Sequence, residues 1–249
     1  MIGEFPRYIG PFMVMDTETS GLPIYGPKGG PAVPADDPRQ PHVCQFAAIL
    51  AQSHEAGPSI ELDRINVLVR PDGEFELTPA LTKIHGITTE DCERDGISRL
   101  DMVLMYELMM ERAGLLCAYG IKFDTKLMRG ASRRSGRPDL FGHRPVFCIQ
   151  WAVTKPCAMP PTAKMTAANR NHFKTPKLQE AYRILLGKEM TGMHNAIHDV
   201  AASVELFDWL NDRGMVDVRT YEDKKPDGAL AAAIGAAITN HDAPEDGAI

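Results

Sequence analysis

The chain has few of the features that mark secreted or membrane proteins. Its 249 residues include five cysteines, at positions 44, 92, 117, 148 and 157, an odd number without a C-x-x-C pair. Reduced thiols explain this pattern better than a disulfide framework or a zinc site. No apolar run approaches the roughly 18 residues that a membrane span requires. Glu4 and Pro6 precede the first apolar run, unlike in a signal peptide, and we therefore expect a cytoplasmic protein.

The chain also lacks the net positive charge that is typical of nucleic-acid-binding proteins, because its formal net charge is −6. The charges are unevenly distributed, however. Residues 122–177 contain 12 Lys or Arg and two acids, whereas the rest of the chain contains 15 basic and 31 acidic residues. Non-specific phosphate binding requires a local basic face rather than a basic protein. This segment is either such a face or a solvated surface without a partner, and composition alone does not decide between them.

No internal repeat is visible, and the apolar patterns divide the chain into strands followed by alternating helices and strands. Strands are predicted at residues 12–15, 46–51, 65–69, 115–118 and 146–149. Helices are predicted at residues 77–84, 100–113, 124–134, 177–186 and 198–209. This order predicts an α/β fold in which helices flank a mixed five-stranded sheet. We predict one domain over residues 1–215 and a weakly ordered tail, rich in Ala, Gly and acids, over residues 216–249.

A long segment rich in glycine and proline follows the first predicted strand. Residues 21–41 include six prolines, at positions 23, 27, 31, 34, 38 and 41. A loop of this length is unusual inside a domain, and we predict that it is functional or mobile.

Two acids directly follow the first predicted strand. Asp16 and Glu18 are two residues apart, so their side chains point to the same side of a strand. Two further D-x-E pairs, Asp72–Glu74 and Asp91–Glu93, lie in polar, turn-like stretches and are interpreted as solvated acids. Only the first pair is placed for metal binding by a buried strand.

Other candidates lie where helices are predicted to begin. Asp124 opens the basic helix, and taken alone it is an N-terminal cap. His194 and Asp199 flank the start of the last helix, and taken alone they are interpreted as solvent-exposed polar residues at a helix start. Hard divalent cations prefer oxygen ligands, and two ions about 3.5–4 Å apart can stabilise both the attacking and the leaving oxygen of a phosphodiester. Converging carboxylates would meet that requirement.

Four segments in chain order carry a family pattern. They are DTETSGL from Asp16, KIHGIT from Lys83, YGIKFD from Tyr119 and HNAIHD from His194. In this order and context, across residues 12–210, they resemble the DnaQ-like, DEDDh exonucleases, which have ribonuclease H-like domains. The stretch KLQEAY ahead of the last segment also resembles that family.

The resemblance implies a metal-dependent 3'-to-5' exonuclease. Two Mg²⁺ or Mn²⁺ ions would be held by the carboxylates of Asp16, Glu18, Asp124 and Asp199. His194 would be the general base that deprotonates the attacking water, a task that suits the free histidine pKa of about 6.5.

The choice of His194 as the base rests on the pattern H-x-A-x-x-D. His198 is a rival, but only His194 places Ala196 correctly in the pattern. A second copy begins at His241, where Pro244 disfavours a helix. The tyrosine-type relatives carry Tyr at the position of Asn195, so the histidine type fits.

The resemblance also implies contacts with the substrate. Thr17 and Thr19 would meet the terminal nucleotide, Leu22 would wedge the last bases, and Ile84 and His85 would line the other side, although ordinary packing is an equal alternative for the last two. On the basic helix, spacings of three and four put Lys122, Lys126, Arg129 and Arg133 on one face. We predict that this face tracks the phosphates of a single strand.

One departure affects substrate binding rather than the metal site. The family usually has His-Asn where this chain has Tyr119-Gly120. An Asn side chain there can hold the substrate strand and Gly cannot, whereas Tyr119 either packs in the core, which we favour, or stacks on a base.

The predicted function is therefore removal of nucleotides from the 3' ends of single-stranded nucleic acid, with DNA preferred to RNA. A catalytically silent end-binding module of the same fold is the alternative, and an endonuclease is a third possibility. The complete set of four acids and His194 favours catalysis. A homodimer and a polymerase or repair partner both remain open.

Overall fold

The computed structural model describes residues 5–27, 29–141, 144–190 and 195–218. The strands are β1 (Gly10–Thr19), β2 (Val43–Ser53), β3 (Ile60–Leu68), β4 (Leu115–Ala118) and β5 (Val146–Cys148). The helices are α1 (Pro79–His85), α2 (Thr89–Asp95), α3 (Arg99–Arg112), α4 (Ile121–Arg134), α5 (Ile149–Cys157), α6 (Ala163–Ala167), α7 (Leu178–Leu186) and α8 (Ala196–Asn211). All five predicted strands and all five predicted helices are present, with shifted ends.

The five strands form one mixed sheet in the order β3-β2-β1-β4-β5. β2 pairs antiparallel with both β1 and β3, whereas β1 pairs parallel with β4, and β4 pairs parallel with β5. The predicted fold class is thus confirmed. Because β1, β4 and β5 are parallel, their carboxyl ends lie at one edge of the sheet, where open α/β sheets generally bind their ligands.

The central strand β1 separates two helical layers. Phe12 and Val14 belong to the core beneath α8, and the Phe12 ring stacks on Phe207 with centroids 4.0 Å apart. The alternate residues Met13 and Met15 belong to the core beneath α3 and α4. Burial on both faces explains why the predicted strand is a continuous apolar run rather than an alternating one. It also means that side chains at the end of β1 can meet both layers.

Three helices were not predicted. The acidic stretch around Asp91 forms α2, which begins with a capping box between Thr88 and Asp91. Asp91 and Glu93 are thus helical acids rather than turn acids. α5 buries Ile149, Val153 and Cys157 at a spacing of four, and Pro156 lies in its last turn. The short α6 lies within the predicted loop 159–175, where few apolar residues set a period.

The long loop 21–41 is bound closely to the fold. The Gln40 side chain accepts a hydrogen bond from the Ile24 amide at 2.9 Å and donates one to its carbonyl at 2.8 Å. On α4, a Cβ added at Gly130 would lie 2.4 Å from the carbonyl oxygen of Ala35. Glycine at this helical position therefore allows the loop to approach the helix backbone. Within its described residues, 21–27 and 29–41, the loop is a packed element.

The predicted boundary between domain and tail stays a prediction, because residues 219–249 lie outside those that the structure describes. Across the described part of the chain, no helix is both long and apolar enough to cross a bilayer.

Candidate active site

The carboxyl end of β1 carries the first two candidate acids. Asp16 and Glu18 continue the alternation of Phe12 and Val14, so they face the layer that contains α8. Asp199 lies in the first turn of α8. Ligand oxygens of Asp16, Glu18 and Asp199 all lie within 4.8 Å of one another. Residues from opposite ends of the described chain thus form one group of oxygen donors.

Asp124 approaches the same strand end from the opposite layer. It lies in the first turn of α4, is only 2% exposed, and its Oδ1 accepts two hydrogen bonds from Thr17. The Thr17 amide donates at 3.1 Å and the hydroxyl at 2.9 Å. Asp124 is therefore not a free helix cap, because Thr17 fixes its carboxylate beside the strand that carries Asp16 and Glu18.

Burial raises the pKa of three of the four carboxyl groups, and the charges of neighbouring acids raise it further at two of them. Burial, followed by the charges of Asp199 and Asp124, raises the pKa of Glu18 to about 8. Burial and the charges of Asp124, Glu18 and Asp199 raise the pKa of Asp16 well above its usual value. Burial also raises the pKa of Asp124, against the hydrogen bonds from Thr17 that lower it. Four acids at one point repel each other unless protons or a cation neutralise them.

The beginning of α8 is positioned by a residue that sequence analysis missed. Gln45 on β2 is buried, and its Oε1 accepts a hydrogen bond from the Ala196 amide at 3.4 Å while its Nε2 donates to Asn66 at 2.9 Å. This contact holds the first turn of α8, which contains Asp199, against the sheet. A glutamine within an apolar strand was the only signal in the sequence.

The two candidate bases, His194 and His198, lie on either side of Ala196 in the sequence. His194, the predicted base, lies outside the described residues, and its role stays a prediction. His198 lies in α8 and is exposed.

A family model for exonucleases, of the RNase T type, matches residues 13–207 of the chain. The chain belongs to this exonuclease family. The match contains Asp16, Glu18, Asp124 and Asp199, and it confirms the family predicted from the motifs. It also supports the predicted enzyme class, a metal-dependent exonuclease that hydrolyses phosphodiester bonds. No curated protein sequence matches the chain.

Solved structures of Exonuclease I from E. coli share the fold. Its complexes with dA16 and dT13 oligonucleotides align with TM-scores of 0.61 and 0.62 at 17% and 16% identity, covering 82% of this chain. A zinc-bound complex of E. coli ExoI with single-stranded DNA aligns with a TM-score of 0.61 at 16% identity, covering 83% of this chain. Each alignment covers 41% of the other chain, so this exonuclease-family chain spans less than half of the length of Exonuclease I.

The predicted nucleotide-binding residues of this family member differ in their exposure. Thr17 and Thr19 are buried, and the Thr19 hydroxyl donates to the Gly21 carbonyl at 2.6 Å. Leu22 is 60% exposed directly after this turn, as a wedge for bases requires. Ile84 is 38% exposed, whereas His85 is buried and its Nδ1 accepts from the Ile87 amide at 3.1 Å. Contact of these five residues with a substrate stays a prediction.

The predicted basic face of α4 is largely occupied by the chain itself. Lys126 donates to the carbonyls of Ile24 and Val33 at 2.6 and 3.2 Å. Arg129 pairs with Asp139 at 2.7 Å, and Arg133 pairs with Asp139 at 2.9 Å and with Asp36 at 3.2 Å.

Helical spacing did place Lys126, Arg129 and Arg133 together, but their shared partners are loop 21–41 and Asp139. The structure weighs against phosphate tracking by these three residues, because each already has a partner from the chain. Lys122, one turn earlier, is exposed at the end of α4 nearest Asp124.

The departure at Tyr119-Gly120 has a structural explanation. Tyr119 packs against the core beneath α8, and its hydroxyl donates to the Pro176 carbonyl at 2.8 Å. The side chain therefore packs, as we favoured, and links the end of β4 to the segment before α7. Gly120 is the N-cap of α4 at φ −122°, and a Cβ added there would meet no atom within 4 Å. The space around a Cβ atom at this position is therefore open.

Proposed function

We propose that this protein is a 3'-to-5' exonuclease that removes nucleotides from single-stranded DNA with the help of two divalent cations. The observation that carries the proposal is the convergence of Asp16, Glu18 and Asp199 within 4.8 Å, next to the buried Asp124. The family match over residues 13–207 supports the same reaction class.

The donor set fits Mg²⁺ or Mn²⁺. All four candidate ligands are carboxylates, and hard cations of this kind prefer oxygen. Burial and the charges of neighbouring acids raise the pKa of Asp16 and Glu18, which is the electrostatic situation that a bound cation relieves. When bound, such ions supply an activated water and neutralise the charge that develops on the phosphate. Asp16, Glu18, Asp124 and Asp199 would hold these ions.

The remaining residues position the reactants. Thr17 fixes the orientation of Asp124 through two hydrogen bonds, and Gln45 holds the start of α8. His194 lies two residues before the start of α8 in the sequence, and it accepts the proton of the attacking water. The exposed Leu22 separates the terminal base from its neighbour.

Single-stranded DNA is the proposed substrate because the similar E. coli enzyme has been crystallised with dA16 and dT13 oligonucleotides. The shared fold at 16–17% identity supports the geometry of a strand-end site and leaves the sugar preference to experiment.

The decisive experiment compares strands and ends. Single strands of DNA and RNA labelled at the 5' or the 3' end are incubated with the protein in Mg²⁺, Mn²⁺ or EDTA, and an Asp16→Asn variant serves as an isosteric control. We expect metal-dependent release of mononucleotides from 3' ends, faster from DNA, and none from the variant. Release from internal positions would instead indicate an endonuclease.

The alternative is an end-binding module that does not hydrolyse its ligand. It predicts 3'-end binding without product under every metal condition.

Replacing His194 and His198 separately by Ala identifies the base. The proposal expects a large loss of kcat from the first variant and a small one from the second. The reverse result would move the role of base to His198.

A further inference from the structure

The basic segment 122–177 leads into a region, beyond α4, whose own sequence contains cations but no acids. Residues 140–179 contain six Lys or Arg and no Asp or Glu. This region comprises β5, α5, α6 and the segment leading to α7. Lys174 pairs with Glu180 at 2.7 Å, but Lys155 and Arg170 form no ion pair within the described residues. The positive charges of Lys155 and Arg170 are therefore available to an external anion.

Two large aromatic side chains are exposed in the same region. Trp151 is 44% exposed and Phe173 is 43% exposed. Trp151 and Lys155 are four residues apart on α5, on the face opposite to the buried Ile149 and Val153. A flat ring and an ammonium group thus lie one helical turn apart on an outward face.

The fold places this face next to the carboxylate group. β5 is parallel to β4 and separated from β1 by that one strand, so the start of α5 lies about 10 Å from the end of β1 along the sheet edge. The Gln150 amide donates to the Tyr119 carbonyl at 3.0 Å, which joins the first turn of α5 to the residue preceding the N-cap of α4. Trp151 follows Gln150 directly.

Phe173 is held near the same edge by backbone contacts. The Lys174 amide donates to the Met159 carbonyl at 3.0 Å, just beyond α5. Two residues later, the Pro176 carbonyl accepts the Tyr119 hydroxyl at 2.8 Å. These contacts fix the segment that carries Phe173 between α5 and the end of β4.

We propose that Trp151, Lys155 and Phe173 form a strand-binding surface that holds single-stranded nucleic acid upstream of the nucleotide being removed. This α5 surface deepens the proposed function and rests on it. Trp151 and Phe173 stack on bases, and Lys155 contacts a phosphate. Aromatic stacking combined with backbone-tracking cations is how proteins bind single strands without regard to sequence. Lys122, exposed at the start of α4, extends the path towards the acids.

The chain offers a direct optical test, because it has only two tryptophans, Trp151 and Trp209. Trp209 lies near the far end of α8, with the Arg213 guanidinium 3.9 Å above its ring. In a Trp209→Phe variant, Trp151 is the sole tryptophan. Titration with a dT12 oligonucleotide in EDTA should quench its fluorescence, whereas a Trp151→Phe variant should show no quenching. Quenching confined to the Trp151→Phe variant would overturn the proposal.

Affinity provides a second readout that is independent of catalysis. In EDTA, Trp151→Ala and Phe173→Ala should each weaken dT12 binding by about five- to hundredfold, the usual cost of losing one stacked base. Binding of dT3, which is too short to leave the strand end, should be unchanged. Leu108→Ala is the matched control, because Leu108 is 63% exposed on α3 in the opposite layer.

The two proposals fail in different ways. Hydrolysis that is normal in wild type, together with unchanged dT12 affinity in both aromatic variants, would overturn the α5 surface and leave the exonuclease standing. Absence of hydrolysis with length-dependent loss of binding would overturn the exonuclease and leave the surface as a single-strand binding site. Thermal melting of each variant confirms that it is folded.

Discussion

Two basic regions of this protein, adjacent in the chain, differ in whether their cations have partners within the chain. On α4, Lys126, Arg129, Arg133 and Arg134 all contact carbonyls or acids of loop 21–41 or of Asp139. In residues 140–179, six cations occur without one acid. The first region has its partners inside the chain, so its charge serves the fold. In the second, Lys155 and Arg170 form no ion pair within the described residues, so their charge is open to a ligand.

The carboxylates at the end of β1 extend the same distinction to negative charge. Asp16, Glu18 and Asp199 lie together, and burial and the neighbouring acids raise the pKa of Asp16 and Glu18. The acids of the other two D-x-E pairs are solvated or paired with arginine. A cluster whose charge is uncompensated costs stability, and it persists where a ligand completes it. Whether a charged side chain has a partner within the chain is therefore a better guide to ligand binding than the number of charges in its segment. Five changes test this comparison.

The largest effect is expected from removing an uncompensated acid. Glu18→Gln should lower kcat at least a thousandfold, because it removes a proposed metal ligand. Glu93→Gln, in the solvated D-x-E pair of α2, is the matched control and should change kcat less than twofold. Steady-state rates on a labelled dT12 strand measure both. Equal rates for the two variants would erase the distinction between the clusters.

The acid group should also make stability depend on pH in the absence of metal. The pKa of Glu18 is raised to about 8 in the folded protein, so the folded state binds its proton more tightly than the unfolded state. Stability should therefore fall as the pH rises from about 4.5 to about 8, and level off above.

Melting temperatures in EDTA across that window measure this dependence, and Glu18→Gln should flatten it. Mg²⁺ should stabilise the protein most at the high end, where the carboxylates are deprotonated. A melting temperature that rises between pH 5 and 8 in EDTA would contradict the crowding of the acids.

In the compensated region, the expected effect is on folding rather than on rate. Arg134 is half-buried and donates to the carbonyls of Asp37, Gln40 and Pro41 at 3.0–3.2 Å. Arg134→Met should lower the free energy of unfolding by about 1.5–3 kcal/mol, the usual worth of hydrogen bonds from a charged donor. Urea denaturation measures the loss, and Arg94→Met on the exposed surface of α2 is the control. A loss of substrate affinity without a loss of stability would assign Arg134 to the substrate instead.

Salt dependence separates the two regions at intermediate magnitude. Lys155→Gln should reduce the slope of log affinity against log salt by about 0.7, the value of one phosphate contact on a single strand. The double change Arg129→Gln and Arg133→Gln should leave the slope unchanged, because Asp139 and Asp36 already hold those guanidinium groups. Fluorescence anisotropy of labelled dT12 at several salt concentrations decides. The opposite pattern would restore the phosphate-tracking face predicted for α4.

The smallest effect concerns the family residue that this chain lacks. A side chain at Gly120 has open space, and its φ of −122° suits any residue. Gly120→Asn should therefore fold normally and tighten dT12 binding by about two- to tenfold, the worth of one added hydrogen bond. Gly120→Ala separates this gain from a simple backbone effect. Weaker binding by the Asn variant would show that the strand already passes through this space.

Much of the architecture follows from local pattern, and the site follows from it only in part. The apolar run of β1 and the two-residue spacing of Asp16 and Glu18 were sufficient to predict that these two acids face the same side. The convergence of Asp199 with that pair depends on how α8 packs on β1, which no spacing rule contains; the order of the motifs supplied it. Gln45 and Thr17 hold the acids through hydrogen bonds between distant segments, and such contacts leave little trace in sequence.

The basic face of α4 shows what helical spacing leaves out. Helical spacing placed Lys126, Arg129 and Arg133 on one face, as the structure has them, but spacing does not say what lies opposite. Loop 21–41 covers that face, helped by Gly130, whose missing side chain admits the Ala35 carbonyl. α5 was missed because its apolar positions are few and Pro156 interrupts the pattern.

The closure of loop 21–41 has a consequence for how such enzymes can diversify. The Ser20 amide donates to the His42 carbonyl at 2.9 Å and the Ser20 hydroxyl accepts from the His42 amide at 2.9 Å, so the two ends of the loop meet at one point. Because closing a longer loop adds little entropic cost, residues can be gained or lost between these ends while β1 and β2 keep their register. Variation in the length of this loop can therefore accumulate beside the carboxylates without displacing them.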